Sequence, residues 1–169
     1  MDVIETERLR LRPLSTADAE NWVALHADEQ VSRFIGSYTQ ERAVERLRQV
    51  ERQWAERGHG LFAIEDWATG ELIGRGGLQY WDQFGEVEAA WTLGAKSWGK
   101  GYAAEAARAF LDWGWERLDV AYVIALIHPG NASSARLAVR LGFTRQRSYD
   151  LDGKQVDVYV LDRPEGIGQ

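Results

Sequence analysis

Glu86-Val-Glu-Ala-Ala-Trp-Thr-Leu-Gly-Ala-Lys-Ser-Trp-Gly-Lys-Gly-Tyr-Ala-Ala-Glu105 is the stretch whose reading decides the fold. Val87 to Leu93 is β-rich, and Gly94, Gly99 and Gly101 punctuate a short loop. Ala103, Ala106, Ala107, Phe110, Leu111, Trp113 and Gly114 then recur at helical spacing as far as Arg117. The order is strand, glycine loop, helix. The first turn of a helix leaves backbone N–H groups without partners and carries the positive end of the dipole, so it attracts phosphate. Glycine lets a ligand approach the backbone closely and permits unusual φ angles, and Lys96 and Lys100 add positive charge nearby. The loop reads as a pyrophosphate cradle; a loop that merely turns the chain is the alternative. Two other nucleotide loops are not matched. Gly99-Lys-Gly-Tyr-Ala-Ala lacks the third glycine of G-x-G-x-x-G and no well-placed acidic ribose ligand follows, while G-x-x-x-x-G-K-[ST] is absent.

Working outward, 169 residues suffice for one domain with a core of its own, spanning 1–169. The chain has no Cys, which rules out disulfides and a thiol nucleophile and is compatible with a cytoplasmic protein. The acidic, mixed start at Asp2-Val-Ile-Glu5 does not read as a signal peptide, and no apolar run has membrane-spanning length. Formal net charge of −6 argues against general nucleic-acid binding and would suit a cationic amine ligand.

Upstream, Leu9 and Leu11 alternate with Arg8, Arg10 and Arg12, a half-buried strand closed by Pro13. Ser15 or Thr16 caps a helix whose apolar face runs from Ala19 to His26, and a loop with Phe34, Ile35, Gly36 and Tyr38 follows. Gln40 to Arg57 is a second helix, with Val44, Leu47, Val50 and Trp54 inward. Leu61–Glu65 and Leu72–Leu78 form a hairpin turning at Thr69-Gly70. Downstream, Val120–Ile127 is a strand covered on both faces. Ala132 to Leu141 is a short helix capped by Asn131, and Thr144–Tyr149 with Gln155–Leu161 make a last hairpin. The tail from Arg163 reads as polar and loose.

Trp98-Gly99-Lys100-Gly101-Tyr102-Ala103-Ala104-Glu105-Ala106 resembles the W-G-x-G-Y-[AG]-x-E-A loop of the GCN5-related N-acetyltransferases (GNAT superfamily), in the RimJ/RimL branch of ribosomal-protein N-terminal acetyltransferases. Trp98 stands where most of the superfamily has Gln or Arg. Asn131-Ala-Ser-Ser134 and Leu141-Gly-Phe143 resemble a second block of that family, and Thr6-Glu-Arg-Leu-Arg-Leu-Arg-Pro13 its first strand. The resemblance covers nearly the whole chain. It implies an α/β (α+β) fold: a central mixed, mostly antiparallel seven-stranded sheet, about four flanking helices, and a splayed parallel strand pair that holds coenzyme A.

The activity implied is acetyl transfer from acetyl-CoA to a primary amine, a protein N-terminus or a small molecule, by direct attack in a ternary complex. A non-catalytic acyl-CoA-binding module and a transferase of another acyl group such as succinyl remain alternatives. Backbone groups of Ala90, Trp91, Thr92 and Leu93 would pair with the pantetheine arm. The amides of Gly99, Lys100, Gly101, Tyr102, Ala103 and Ala104 would hold the pyrophosphate. Asn131 would orient the thioester, cap its helix, or both, and Arg136 and Arg140 would reach the nucleotide phosphate. Glu88 aligns with the family's strand carboxylate and is the candidate general base, with Glu86 as competitor on the same strand face. Ser134 is the candidate hydrogen-bond donor to the leaving sulfur, because Ala138 occupies the position where many relatives carry Tyr; Tyr149 and Tyr159 are alternatives. By the same resemblance Phe34, Tyr38, Trp54 and His59 fall on the acceptor wall. His26, His59 and His128 are too scattered for metal-ligand spacing, so no metal is expected. No nucleic-acid or membrane partner is expected either, and pairing of exposed strand edges into a homodimer stays open.

Overall fold

Alternating Leu and Arg in β2 (Leu9–Pro13) put Leu9 and Leu11 on one face of the sheet, where both are fully buried, and the arginines on the other. The same alternation runs through β3 (Leu61–Asp66), where Phe62 and Ile64 face one core and Leu61 and Ala63 the other. The computed structural model describes residues 2–167, and in it these strands belong to one eight-stranded sheet. Its order is β1-β2-β3-β4-β5-β6-β8-β7, with β1 Ile4–Glu5, β4 Leu72–Trp81, β5 Glu86–Leu93, β6 Tyr122–Ile127, β7 Thr144–Leu151 and β8 Lys154–Asp162. Every neighbouring pair is antiparallel except β5 with β6.

One face is covered by α4 (Tyr102–Arg117), whose Ala106, Ala107, Phe110 and Leu111 pack with Leu9, Leu78, Val87, Ala89 and Leu93. The other is covered by α1 (Ala19–Ala27) and α3 (Gln40–Arg57), whose Trp22, Ala43, Leu47 and Val50 enclose Leu14, Leu61 and Ala63. A side chain at Gly77 would run into the carbonyl of Gly60, so glycine there lets β4 lie close to the start of β3.

Three expectations are corrected. The sheet has eight strands rather than seven, because β1 is a two-residue strand too short to leave a periodic signal. Among the described residues there are five α-helices, where about four were expected. Glu29–Ile35, read as a loop, is α2, and Asp28 caps it by accepting from the Gln30 amide. The tail is not loose up to residue 167: the Arg163 guanidinium donates to the Trp115 and Leu118 carbonyls at the end of α4, and Ile167 packs on the core.

Candidate active site

β5 and β6 share a single register pair, Glu88 with Ile124, and diverge beyond it. The cleft that opens there has a volume of about 1080 Å³. This slightly exceeds the roughly 300–1,000 Å³ of a pocket for one small ligand. Its walls are Ala89 to Leu93 of β5, Ala125 to Ile127 of β6, Trp98, Gly99 and Gly101 to Ala104 at the start of α4, and Asn131 to Ser134 at the start of α5 (Ala132–Arg140). α2 closes it with Val31, Arg33 and Phe34, and the Phe34 ring packs on His128 at 4.9 Å between centroids.

The glycine loop has the geometry of a cradle. Gly99 and Gly101 both have φ in the left-handed region, +74° and +80°, which glycine adopts without strain. Gly101 is the N-cap of α4 and brings no side chain to the first-turn amides, and Tyr102, Ala103 and Ala104 all line the cleft. Glu105 is turned away. It accepts from Thr6 Oγ1 (2.6 Å), the Arg8 amide (3.0 Å) and Arg8 Nε (2.7 Å), and Arg8 Nη1 donates to the Lys100 carbonyl (2.8 Å). Although partial burial opposes it, these bonds hold the Glu105 carboxyl below its ordinary range. The first-turn carboxylate that would repel a phosphate is thus spent on a clamp to the N-terminal segment. The two lysines do not contribute as expected: Lys96 is ion-paired with Glu71, and Lys100 does not line the cleft.

Glu88 is buried at the point where the strands part. Its Oε1 accepts from Gln79 Nε2 (2.7 Å) and Trp81 Nε1 (3.0 Å), and its Oε2 from the Leu126 amide across the gap (3.2 Å). Burial pushes its pKa up, against the pull of these hydrogen bonds. Glu86 lies outside the cleft, within 3.9 Å of Arg147. Asn131 Oδ1 caps α5 by accepting from the Ser134 amide (3.2 Å) and from Ser133 Oγ (3.2 Å), while Asn131 and Ser134 both line the cleft. Arg140 reaches the cleft. Arg136, one turn earlier, lies with Ala135 and Val139 at a shallow depression instead. Tyr149 packs on Phe84, and Tyr159 is buried in the core.

Of the four acceptor-wall residues, only Phe34 lines the cleft. Trp54 is drawn into the core, edge-on to Phe62 and Trp113, with Nε1 donating to the Leu61 carbonyl. His59 is buried and hydrogen-bonded to the Leu78 carbonyl at 2.7 Å. Tyr38 stands edge-on to Trp22 and His26, behind the wall. What the sequence reading missed is a polar layer on this α1–α3 face: His26, Arg46, Arg75 and Gln79. Its one sequence signal is Arg75 itself, a charge between glycines in an otherwise apolar strand, Leu72-Ile-Gly-Arg-Gly-Gly-Leu78.

Residues 8–144 match the family model of the acetyltransferase (GNAT) domain. The chain belongs to the GNAT acetyltransferases. It is 30% identical over 169 residues to an uncharacterised N-acetyltransferase of Bacillus licheniformis, p20, with 95% of each chain covered. The crystal structure of an acetyltransferase from Agrobacterium tumefaciens is 33% identical, with TM-score 0.81 over 95% of this chain and 94% of that one. RimL, a ribosomal L7/L12 alpha-N-protein acetyltransferase solved with coenzyme A, shares the fold at TM-score 0.79 and 16% identity, over 95% of this chain and 98% of its own. This GNAT protein is therefore an acyltransferase, and the splayed β5–β6 pair and the glycine loop are that fold's features in this chain.

Proposed function

We propose that the protein is an acetyl-CoA-dependent N-acetyltransferase that acetylates a primary amine, of a peptide N-terminus or a small molecule, by direct attack in a ternary complex. The observation that carries this reading is the Glu88 carboxylate, buried and with raised pKa, at the fork of a cleft that runs from the α4 N-terminus to α2. Acetyl-CoA would supply the acyl group as a thioester, and the cleft suits it: first-turn amides of α4 that no side chain caps, behind two left-handed glycines, and strand edges of β5 and β6 that no longer pair with each other.

In this reading the amides of Gly99 to Ala104 hold the pyrophosphate, Arg140 rather than Arg136 reaches the nucleotide end, and Ala90 to Leu93 pair with the arm. Glu88 accepts the proton that the amine nitrogen loses as it bonds the acyl carbon. Its raised pKa makes it a stronger base than an exposed carboxylate. A backbone N–H of β5 near Trp91 polarises the carbonyl, and Ser134 donates a hydrogen bond to the departing sulfur. The whole chain, 1–169, acts as one domain, in the cytoplasm.

The test is calorimetric titration of acetyl-CoA and coenzyme A, followed by turnover on a panel of amines for wild type and Glu88→Gln. Micromolar donor binding in both, with kcat/KM of the variant down about 10²–10³-fold, is the expected result. Wild type that ignores both nucleotides, or a variant with undiminished turnover, would overturn the reading.

A further inference from the structure

β4 and β5 put Arg75 opposite Thr92, Gly77 opposite Ala90 and Gln79 opposite Glu88, so Arg75, Gln79, Glu88 and Thr92 share one face of the sheet, and all four line the cleft. This face is covered by α1 and α3, and its polar groups form two chains. In the first, Arg46 Nη2 donates to Gln79 Oε1 (2.7 Å), whose Nε2 donates to Glu88 (2.7 Å). In the second, Arg75 Nε and Nη2 lie 3.4 Å and 3.2 Å from His26 Nε2, and the guanidinium rests on the Trp22 ring at 4.6 Å. His26 Nδ1 is 2.7 Å from the Trp22 carbonyl, so it must donate there, which leaves Nε2 as the acceptor for Arg75.

The layer is over-supplied with positive charge and with donors. His26 is neutral at physiological pH, since burial and the nearby Arg75 lower its pKa to about 4. Arg46 and Arg75 are both protonated, and although burial lowers Arg75 to about 10, that keeps its charge at pH 7. Among the described residues neither has a carboxylate within 4.0 Å; the carboxylate whose charge acts on both is Glu88, already held by three donors. Arg75 Nη1 has no hydrogen-bond partner among them, and the Trp22 indole N–H is a buried donor without one. A guanidinium on the cleft wall, partnered only by a neutral imidazole and the Trp22 ring, has donors left to offer an anion in the cleft. The cleft as a whole repeats the sign: Arg33, Arg75, Arg140 and Lys154 line it against Glu29 and Glu88, in a chain of net charge −6.

We infer that the acceptor is an amine that also bears a carboxylate, and that Arg75 binds that carboxylate. The inference rests on the transferase reading above and narrows its substrate class. It replaces the cationic acceptor suggested by the chain's net charge, because the sign at the site is opposite to the sign of the chain. Gln79 and Arg75 are four strand residues apart, about 13 Å of backbone, so the carboxylate anchor and the base Glu88 are separate groups on one face. A free amino acid and an acidic side chain of a peptide present the same chemistry, and a graded panel separates them.

The experiment measures kcat/KM with saturating acetyl-CoA for matched pairs: α,ω-amino acids against their carboxamides, and an aspartyl or glutamyl dipeptide amide against its asparaginyl or glutaminyl counterpart. Wild type is expected to prefer one set of carboxylates over the paired amides at least tenfold. Arg75→Gln should reduce that ratio to within about threefold while leaving coenzyme A affinity unchanged, and Arg75→Lys should restore part of it. A lost nucleus of folding would show as lost coenzyme A binding in Gln and Lys variants alike, and the wild-type ratio then decides alone. Equal or better turnover of the amides, or an unchanged ratio in Arg75→Gln, overturns the inference while leaving the transferase intact. No turnover of any amine by wild type that binds acetyl-CoA overturns both.

Discussion

His26 shows what one side chain does when the chain around it is fixed. It is fully buried, tilted against Trp22 with 4.6 Å between ring centroids, and it accepts from a guanidinium that would be repelled by an imidazolium. Its folded-state pKa of about 4 lies below the ordinary 6.5, so the unfolded chain binds this proton more tightly. The stabilisation is therefore complete above about pH 6.5 and is lost as pH falls through about 4, a contribution on the order of 3 kcal/mol. Denaturant titrations of wild type and His26→Gln at several pH values between 7.5 and 4 check it; the variant should show a flatter profile, and parallel profiles would refute the assignment. Glu88 moves the other way. A base with raised pKa sets the acid limb of kcat/KM above the ordinary carboxylate value of 4.5, with activity rising as pH rises through it. A limb at or below 4.5 would mean that Glu88 is not the titrating group.

At the level of elements, the glycine loop is held from outside. Arg8, on the approach to β2, grips the Lys100 carbonyl and Glu105, and stacks over Tyr102 at 4.3 Å, without itself lining the cleft. Arg8→Ala is expected to weaken coenzyme A binding about fivefold, near 1 kcal/mol, with kcat unchanged at saturating donor and little change in melting temperature. An unchanged Kd would show that the loop keeps its shape without the clamp. Such long-range ties mark the boundary of what the sequence discloses. The strand–loop–helix unit was legible because glycine positions and a 3.6-residue period are local, and α3 for the same reason. α2 was hidden because seven residues closed by Gly36 look like a loop, and its role depends on Phe34 meeting His128, 94 positions later. Trp54 and His59 went to the acceptor wall by resemblance, which assigns the wall to α3 and the turn after it without saying which of their side chains point into the core. Arg46 and Arg75 meet Gln79 and His26 only in three dimensions, so their pairing left no spacing to read.

For the molecule as a whole, the C-terminal segment is part of the structure up to Ile167. Deleting residues 163–169 uncovers the Trp115 and Leu118 carbonyls and removes Ile167 from the core edge. It should lower stability by about 2–3 kcal/mol and the melting temperature by about 6 °C. A melting temperature unchanged within a degree would contradict this.

The parting of β5 from β6 has a mechanical side. The sheet carries a crack, open at the end of the strands and stopped at Glu88, whose carboxylate rivets the Leu126 amide across the tip. The Leu126 amide is thus a gauge of crack length. Its hydrogen exchange should quicken in Glu88→Ala, which removes the rivet, and less in Glu88→Gln, which keeps an acceptor. A ligand arm wedged between the strands would bridge the fracture faces and slow exchange on both. Propagation past the tip would divide the sheet into the β1–β5 and β6–β8 plates, so in the proposed reaction the group that receives the proton also arrests the break through which the donor enters.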